Sequence, residues 1–293
     1  MIDVAPEERT VELGTGLRYH VVTWGAADAP PVVLVHGFLD HAWSWASVAT
    51  RLAAAGRRVI APDLRGHGDS DRVGAGGYYH FFDYVADLDA LVDALGLGQL
   101  DLVGHSMGGT VSAYLAGTRP ARIRRLALLE GLGPPDGSGQ LDGLPARTAG
   151  WIDGWRRARA GGLGPALADL DDAVARLRRH DPRLAPDLAR WLAEHGTRRD
   201  PDGALRWKHD PLHLTQGPYP FRRDHAEAYW RAITAPVLLV DGAASTIRLA
   251  PAEAAARAAA LRDARAVTLP DAGHMMMRHQ PAALADALLA FLG

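Results

Sequence analysis

The sequence predicts an α/β protein built on a mostly parallel, doubly wound sheet that carries a helical insertion. Two observations predict it. Short runs that are apolar at every position alternate with segments of helical periodicity, as expected when helices cover both faces of a parallel sheet. Between about residues 131 and 232 this alternation stops, and an arginine-rich region of helical character takes its place.

The elements of the sheet follow in chain order. Residues 9–24 predict a hairpin that turns at Gly14–Gly16, and PPVVLVHG predicts the first strand covered on both faces. Residues 82–95 predict a helix, because their apolar side chains fall on one stripe at helical spacing. Further covered strands are predicted at RRVIAPDL, LDLVGHS, IRRLALLE, APVLLVDG and ARAVTLP.

The region between the predicted strands IRRLALLE and APVLLVDG is interrupted by proline- and glycine-containing segments at GPPDGSG, GGLGP, DPRLAP and QGPYP. We expect residues 1–131 and 233–293 to form one core, and residues 132–232 to form a helical lid. The lid region contains five of the eight tryptophans, namely Trp151, Trp155, Trp191, Trp207 and Trp230. Tryptophans there can form the core of a small subdomain or line a substrate pocket. For Trp151 and Trp155 we expect substrate contacts.

Composition excludes several classes of function. A formal charge of −2 and the lack of a basic tract predict no nucleic-acid partner and no anionic-membrane partner. The absence of cysteine excludes disulfides, thiolate metal sites and a cysteine nucleophile. The N-terminal segment has no apolar stretch of the secretory type, and no apolar run reaches about 18 residues. We therefore expect a cytoplasmic protein without a metal or other cofactor.

One serine lies in an unusual local sequence. In Gly104-His105-Ser106-Met107-Gly108 the glycines flank it at the spacing G-x-S-x-G, between a predicted strand and a predicted helix. The spacing suits a turn so tight that side chains at the glycine positions would collide with their neighbours. Such a turn exposes the serine oxygen and directs the first helical N–H groups toward the group that the serine attacks. Ser106 is the candidate nucleophile.

Four motifs follow one another along the chain: LVHGFLD at 34–40, PDLRGHGDS at 62–70, GHSMGG at 104–109 and PDAGHMM at 270–276. Together they resemble the α/β-hydrolase family over nearly the whole chain. The runs HGFLD and LLEGLGP are most similar to those of lidded serine hydrolases such as the mammalian serine hydrolase-like proteins. The resemblance implies the α/β-hydrolase fold, with the lid inserted after the strand that ends at Glu130.

A serine hydroxyl is a poor nucleophile at neutral pH and needs an imidazole to take its proton. His274, after the last predicted strand, is the candidate base. Negative charge develops on the attacked carbonyl oxygen, so two N–H donors are needed beside it. One is expected to be the amide of Met107, and the resemblance implies that the other is the amide of Phe38.

Three further histidines belong to the motifs: His36, His67 and His105. We expect each of them to brace a loop rather than to transfer protons.

The acid of the triad is where this sequence departs from the family. Members usually place an aspartate after the strand that corresponds to PVLLVDG, in a form such as G-x-x-D, and that position here is Ser245. Glu130 ends the strand RLALLE, and some haloalkane dehalogenases of this fold use an acid at that strand end. A carboxylate there also needs a partner, because burying it alone is costly. We take Glu130 as the candidate acid. Asp241 remains the alternative, in which case Glu130 would be a structural anchor at the lid hinge.

The resemblance implies a hydrolase that cleaves a carboxylic ester or related acyl bond of a small apolar substrate through an acyl-enzyme. Dehalogenases and epoxide hydrolases of this fold carry an aspartate in place of the serine. Carbon–carbon bond hydrolysis, lactone opening and acyl transfer stay open on the same triad. A different class is also open, a protein of this fold that binds a small apolar ligand without turnover.

Overall fold

The structure of the protein is a computed structural model that describes residues 5–135, 143–161 and 164–293. Its strands are β1 (Glu7–Glu12), β2 (Arg18–Trp24), β3 (Pro31–Val35), β4 (Arg58–Pro62), β5 (Leu100–His105), β6 (Ile123–Leu129), β7 (Thr197–Arg199), β8 (Leu205–Trp207), β9 (Val237–Gly242) and β10 (Ala264–Leu269). Eight of them form one sheet in the order β1-β2-β4-β3-β5-β6-β9-β10, and β7 pairs with β8 separately. Within the large sheet β2 is antiparallel to both β1 and β4, and the other pairs are parallel.

Helices cover both faces of the large sheet, as the sequence predicts. They are α1 (Ala46–Ala54), α2 (Phe81–Ala94), α3 (Met107–Thr118), α4 (Leu144–Ala160), α5 (Leu170–His180), α6 (Pro186–Gly196), α7 (Arg223–Ala232), α8 (Pro251–Ala258), α9 (Met276–His279) and α10 (Pro281–Leu292). One apolar cluster joins the sheet to α2, α3 and α7, and a second joins it to α1 and α10. The predicted hairpin and the predicted helix over 82–95 are confirmed by β1, β2 and α2.

The expectation that every apolar strand is covered on both faces is wrong for β10. This strand lies at the edge of the sheet, and of its residues Leu269 alone is buried. Two of the apolar residues in ARAVTLP are alanines. Burying an alanine side chain removes little apolar area from water, so leaving it exposed costs little free energy. Composition alone therefore did not distinguish an edge strand from a central one.

The region between β6 and β9 contains α4 to α7 and the β7–β8 pair. It has small apolar clusters of its own around Leu167 and Leu184. The last helix, α7, packs instead against α3, with Trp230 fully buried in the cluster beneath the sheet. We keep the division into core and lid as a proposal, with α7 on the core side. Parts of the predicted breaks GPPDGSG and GGLGP lie outside the described residues.

Within residues 5–135, 143–161 and 164–293, we find no helix whose length and apolar content would let it cross a membrane.

Candidate active site

Ser106 occupies a strained turn between β5 and α3. Its backbone has φ 52° and ψ −118°, a combination that L-residues rarely adopt. A Cβ atom at Gly104 would lie 2.5 Å from the carbonyl oxygen of Gly108, and a Cβ atom at Gly108 would lie 2.3 Å from that of His36. The collisions expected from the G-x-S-x-G spacing are thus confirmed. The turn leaves Ser106 half-buried in the wall of a large cavity.

Glu130 follows β6 directly and faces the histidine loop. Its Oε2 atom lies 2.6 Å from Nδ1 of His274. Oε2 also accepts a hydrogen bond of 2.8 Å from the Ser245 hydroxyl, and Oε1 accepts one of 3.0 Å from the Gly242 amide. Burial alone would raise the pKa of the Glu130 carboxyl, but the bonds from His274, Gly242 and Ser245 outweigh it and hold the pKa below its usual value. Glu130 is therefore a charged acceptor beside His274.

Asp241, the alternative acid, is placed differently. It lines the same cavity, but within the described part of the chain its carboxylate makes no hydrogen bond. Burial, followed by the negative charge of Glu130, raises its pKa. The structure thus brings Glu130 to the Nδ1 side of His274 and leaves Asp241 apart from it.

The loop that carries His274 is held by His105, the residue before Ser106. Nε2 of His105 donates a hydrogen bond of 2.9 Å to the backbone oxygen of His274, since a carbonyl can only accept. Burial, followed by the charge of His274, lowers the pKa of His105 to about 3, so its ring is neutral. His105 braces the loop of His274, in agreement with its predicted structural role.

The amides of Phe38 and Met107, which the sequence predicts as oxyanion donors, lie beside Ser106. Among the described residues, neither the Phe38 nor the Met107 amide donates a hydrogen bond. Met107 is the first residue of α3, where amides lack an intrahelical acceptor. The loop of Phe38 lies against Ser106, because a Cβ atom at Gly37 would lie 3.3 Å from the Cβ of Ser106. These are the two amides expected from the sequence.

The Phe38 loop is itself held by His67. Leu39, the next residue, has a left-handed backbone with φ 58°, and its amide donates to Nε2 of His67 over 3.2 Å. Nδ1 of His67 donates to the backbone oxygen of Arg65 over 3.0 Å. Burial, followed by the charges of nearby histidines, lowers the pKa of His67 well below its usual value. The neutral His67 ring thus accepts a hydrogen bond at Nε2 and donates one at Nδ1, and so links the loops of Leu39 and Arg65.

His213, from the region between β6 and β9, packs on the His67 ring. The His213 ring stacks on the His67 ring with centroids 4.2 Å apart and an interplanar angle of 27°. The Phe38 ring lies edge-on to both, 6.0 Å from His213 and 6.4 Å from His67. Burial lowers the pKa of His213 to about 3, although Asp210 acts in the opposite direction. The inserted region therefore touches the loop that carries the Phe38 amide.

The cavity at Ser106 has a volume of about 1320 Å³, and Phe38, Met107, Glu130 and His274 also line it. Much of its wall consists of aromatic side chains from one stretch before and within α2. These are Tyr78, Tyr79, Phe81, Phe82 and Tyr84. Sequence reasoning missed them, although the run YYHFFDY is a signal that could have drawn attention to this stretch.

The tryptophans of the insertion are placed elsewhere. Within the described residues, none of the five lines the cavity at Ser106. Trp151 and Trp155 are half-buried and line a separate pocket of about 510 Å³, so they are not brought to the predicted substrate site. Trp230 belongs to the core. The Trp191 ring packs edge-on against Trp43, outside the cavity.

One group of side chains in the described region has the composition of a metal site, namely His20, Asp63 and Asp69. The Asp63 carboxylate is already occupied by hydrogen bonds from the amides of Ala42 and Asp69 and by Nδ1 of His20. The group does not line the cavity at Ser106. Its contacts fit a bracing network between loops, and we assign it no part in the chemistry.

Comparisons with known proteins identify the family to which this fold belongs. A family model described as alpha/beta hydrolase fold matches residues 30–277. The chain is 29% identical to epoxide hydrolase A of Mycobacterium tuberculosis over 98% of each protein. It is 32% identical to the 3-hydroxybutyrate-oligomer hydrolase of Cupriavidus necator over 94% of this chain and 93% of that protein.

A solved structure extends the likeness to three dimensions. The thioesterase domain from the curacin biosynthetic pathway is 30% identical, with a TM-score of 0.83 over 98% of this chain and all of that domain. The family model spans most of the chain, including the Ser106 turn, the His274 loop and most strands of the sheet. The chain therefore belongs to the α/β-hydrolase family.

Proposed function

We propose that the protein is a serine hydrolase that cleaves a carboxylic ester or related acyl bond of an apolar substrate through an acyl-enzyme. One observation carries the proposal: the Glu130–His274 pair, joined over 2.6 Å, lines the same cavity as a serine held in a strained turn. Activation of a serine requires an imidazole base and a carboxylate that orients it, and the cavity that Ser106 lines contains such a pair.

In the proposed reaction, Ser106 Oγ attacks the carbonyl carbon while Nε2 of His274 takes the hydroxyl proton. Glu130 holds the imidazole through Nδ1 and stabilises the imidazolium that forms. The amides of Phe38 and Met107 bind the developing oxyanion. Nε2 then returns its proton to the leaving alkoxide, which departs as the alcohol. A water molecule, deprotonated by His274, attacks the acyl-enzyme, and the acid is released as Ser106 regains its proton.

The identity of the nucleophile distinguishes this reaction from that of some relatives. Epoxide hydrolases of the family carry an aspartate where this chain has Ser106. Relatives named as an oligomer hydrolase and a thioesterase are consistent with attack on an acyl carbonyl. The serine therefore favours acyl chemistry over epoxide opening.

The cavity bears on the size of the substrate. Its volume of about 1320 Å³ exceeds the roughly 300–1,000 Å³ of common small-ligand sites. A butyryl group would leave most of it unfilled, and the aromatic wall favours apolar groups. We therefore expect medium-chain or bulky acyl esters to be better substrates than acetates.

The decisive test combines labelling with turnover. A fluorophosphonate probe should label the wild-type protein at Ser106, and p-nitrophenyl butyrate and octanoate should be hydrolysed with a burst of p-nitrophenolate. Ser106→Ala should abolish labelling and lower kcat by about four orders of magnitude or more. Its melting temperature should remain within a few degrees, since the site is half-buried. A protein that neither labels nor turns over is a non-catalytic binder, and this would refute the proposal.

A further inference from the structure

The cavity at Ser106 contains cationic side chains from three separate elements. Arg147 comes from α4, Arg222 directly precedes α7, and Arg248 follows β9. The carboxylates in the described lining are those of Glu130 and Asp241, and Glu130 is already engaged by His274. Most of the remaining wall is aromatic or aliphatic.

The three arginines differ in how far they are neutralised. Arg222 forms a bidentate ion pair with Asp224, in which Nε of the arginine lies 2.9 Å from Oδ1 of the aspartate. Arg147 is half-buried, and its Nε donates over 2.8 Å to the backbone oxygen of Gly217. Within the described residues, neither Arg147 nor Arg248 forms an ion pair. Arg147 thus has no carboxylate partner among the described residues, whereas the exposed Arg248 is close enough to Asp241 to act against the rise in that residue's pKa.

The setting of Arg147 suits an anionic ligand. Its bond to Gly217 orients the guanidinium and leaves the two terminal nitrogens as donors. A planar guanidinium binds carboxylate or phosphate through two parallel hydrogen bonds, and such bonds are strong where water is partly excluded. The adjoining wall is apolar and includes Pro218, Tyr219 and Phe221. A ligand that reaches Arg147 therefore needs an apolar body as well as an anionic end.

We propose that the substrate of this site carries an anionic group, a carboxylate in the simplest case, at the end of an apolar segment. Arg147 binds the anion, and Arg248 contributes the second positive charge. This inference rests on the proposed acyl hydrolysis and names its substrate class. The anion can belong to the acyl half or to the leaving alcohol, and the experiment has an arm for each.

The first arm tests the acyl half. p-Nitrophenyl monoesters of α,ω-diacids of increasing length are compared with the same compounds capped as methyl esters. At the best length we expect kcat/KM for the free carboxylate to exceed that for its capped partner by at least about tenfold. The ratio should fall in high salt without reaching one, because ions screen a half-buried charge pair less than an exposed one.

The second arm tests the leaving group. Octanoate esters of 4-hydroxybenzoate are compared with octanoate esters of its methyl ester. A preference for the carboxylate in one arm identifies the half that carries the anion. Ratios near one in both arms, at every length, would overturn the proposal while leaving acyl hydrolysis intact.

Variants link the preference to Arg147. Arg147→Gln should bring the ratio close to one, whereas Arg147→Lys should keep part of it, because the charge remains and the planar fork is lost. Arg248→Gln should lower the ratio less than Arg147→Gln. Arg156→Gln is the matched control, because Arg156 lies on α4, is exposed and does not line the cavity. The ratio of this control should equal that of the wild type.

A binding measurement separates this proposal from the proposed reaction. The monomethyl and dimethyl esters of the best diacid are titrated by calorimetry into the Ser106→Ala protein. We expect the carboxylate compound to bind about tenfold more tightly, and Arg147→Gln to remove the difference. If the wild type hydrolyses no ester but this difference is found, the reaction is wrong and the anion site stands. Equal affinity for the two compounds would reject the anion site whatever the catalytic result.

Discussion

The Ser245 hydroxyl donates a hydrogen bond of 2.8 Å to Oε2 of Glu130, the same oxygen that lies 2.6 Å from Nδ1 of His274. Ser245 is the position at which members of this family commonly carry an aspartate. Here the position supplies a donor that holds a carboxylate from the neighbouring strand end. Two neighbouring strand ends, those of β6 and β9, thus act together on one histidine.

Replacing Glu130 should disable the reaction while leaving the fold intact. Glu130→Gln keeps the size of the side chain and removes its charge, so His274 loses the partner that holds its tautomer and stabilises its imidazolium. We expect kcat for p-nitrophenyl butyrate to fall by about three to four orders of magnitude, with little change in melting temperature. Asp241→Asn, measured at the same pH, should retain kcat within about tenfold. The reverse ranking of the two variants would make Asp241 the acid of the triad.

Ser245 should have a smaller effect, because Glu130 keeps its bond from the Gly242 amide. Ser245→Ala should lower kcat by about tenfold, as expected when a charged acceptor loses one of its donors. Ser245→Asp in the Glu130→Gln background would return a carboxylate to the usual position of the family. We expect this double variant to exceed Glu130→Gln alone by at least about tenfold. Equal rates would mean that the loop of Ser245 cannot bring an acid to His274.

His67 should act on the proposed oxyanion hole through the Leu39 amide. His67→Leu removes the acceptor, so the Phe38–Leu39 peptide is no longer held and one oxyanion donor is displaced. kcat should fall by about tenfold to a hundredfold, less than for the loss of a donor itself, while KM changes little. Rates of labelling by a fluorophosphonate should fall in parallel. A variant that loses stability but keeps both rates would limit His67 to packing.

The buried Asp40–Arg278 pair should make stability depend on pH in acid. Burial would raise the pKa of Asp40, but the Arg278 charge, 2.8 Å away, and nearby histidines outweigh it and lower the pKa to about 2. A carboxyl whose pKa is depressed on folding stabilises the protein above its unfolded pKa and loses that contribution as pH falls. The expected contribution is about 2 kcal/mol, lost between about pH 4 and pH 2.

Denaturant titrations from neutral to acid pH provide the measurement for this pair. Asp40→Asn should be less stable than the wild type near pH 7 by about 3–5 kcal/mol, because Arg278 is left buried without its partner. The two free energies of unfolding should approach one another as the pH falls toward 2. Parallel curves would show that Asp40 does not titrate with folding.

The sequence contained enough information to place the candidate triad but not the substrate site. Ser106, Glu130 and His274 follow strands that pair in parallel, and parallel strands bring their carboxyl ends to one edge of the sheet. The cavity arginines come from α4, from the segment before α7 and from the loop after β9, so no local pattern joins them. The positions of Trp151 and Trp155 in the sequence also did not locate the substrate site. A local apolar pattern does not show which of two neighbouring pockets a helix will face.

Glu130 is followed directly by the inserted region, and this position limits where the gene can be recombined. The Glu130 amide still donates to the Val240 oxygen over 3.0 Å, so the residue belongs to the hydrogen-bond ladder of the sheet. Gly131 lies so close to α3 that an added Cβ atom would stand 2.7 Å from the Gly109 Cα. A chimaera that imports another relative's insertion together with the residue at position 130 would also exchange the proposed acid of the triad. Crossover points chosen beyond Gly131 would keep Glu130 and allow the region that follows it to be exchanged.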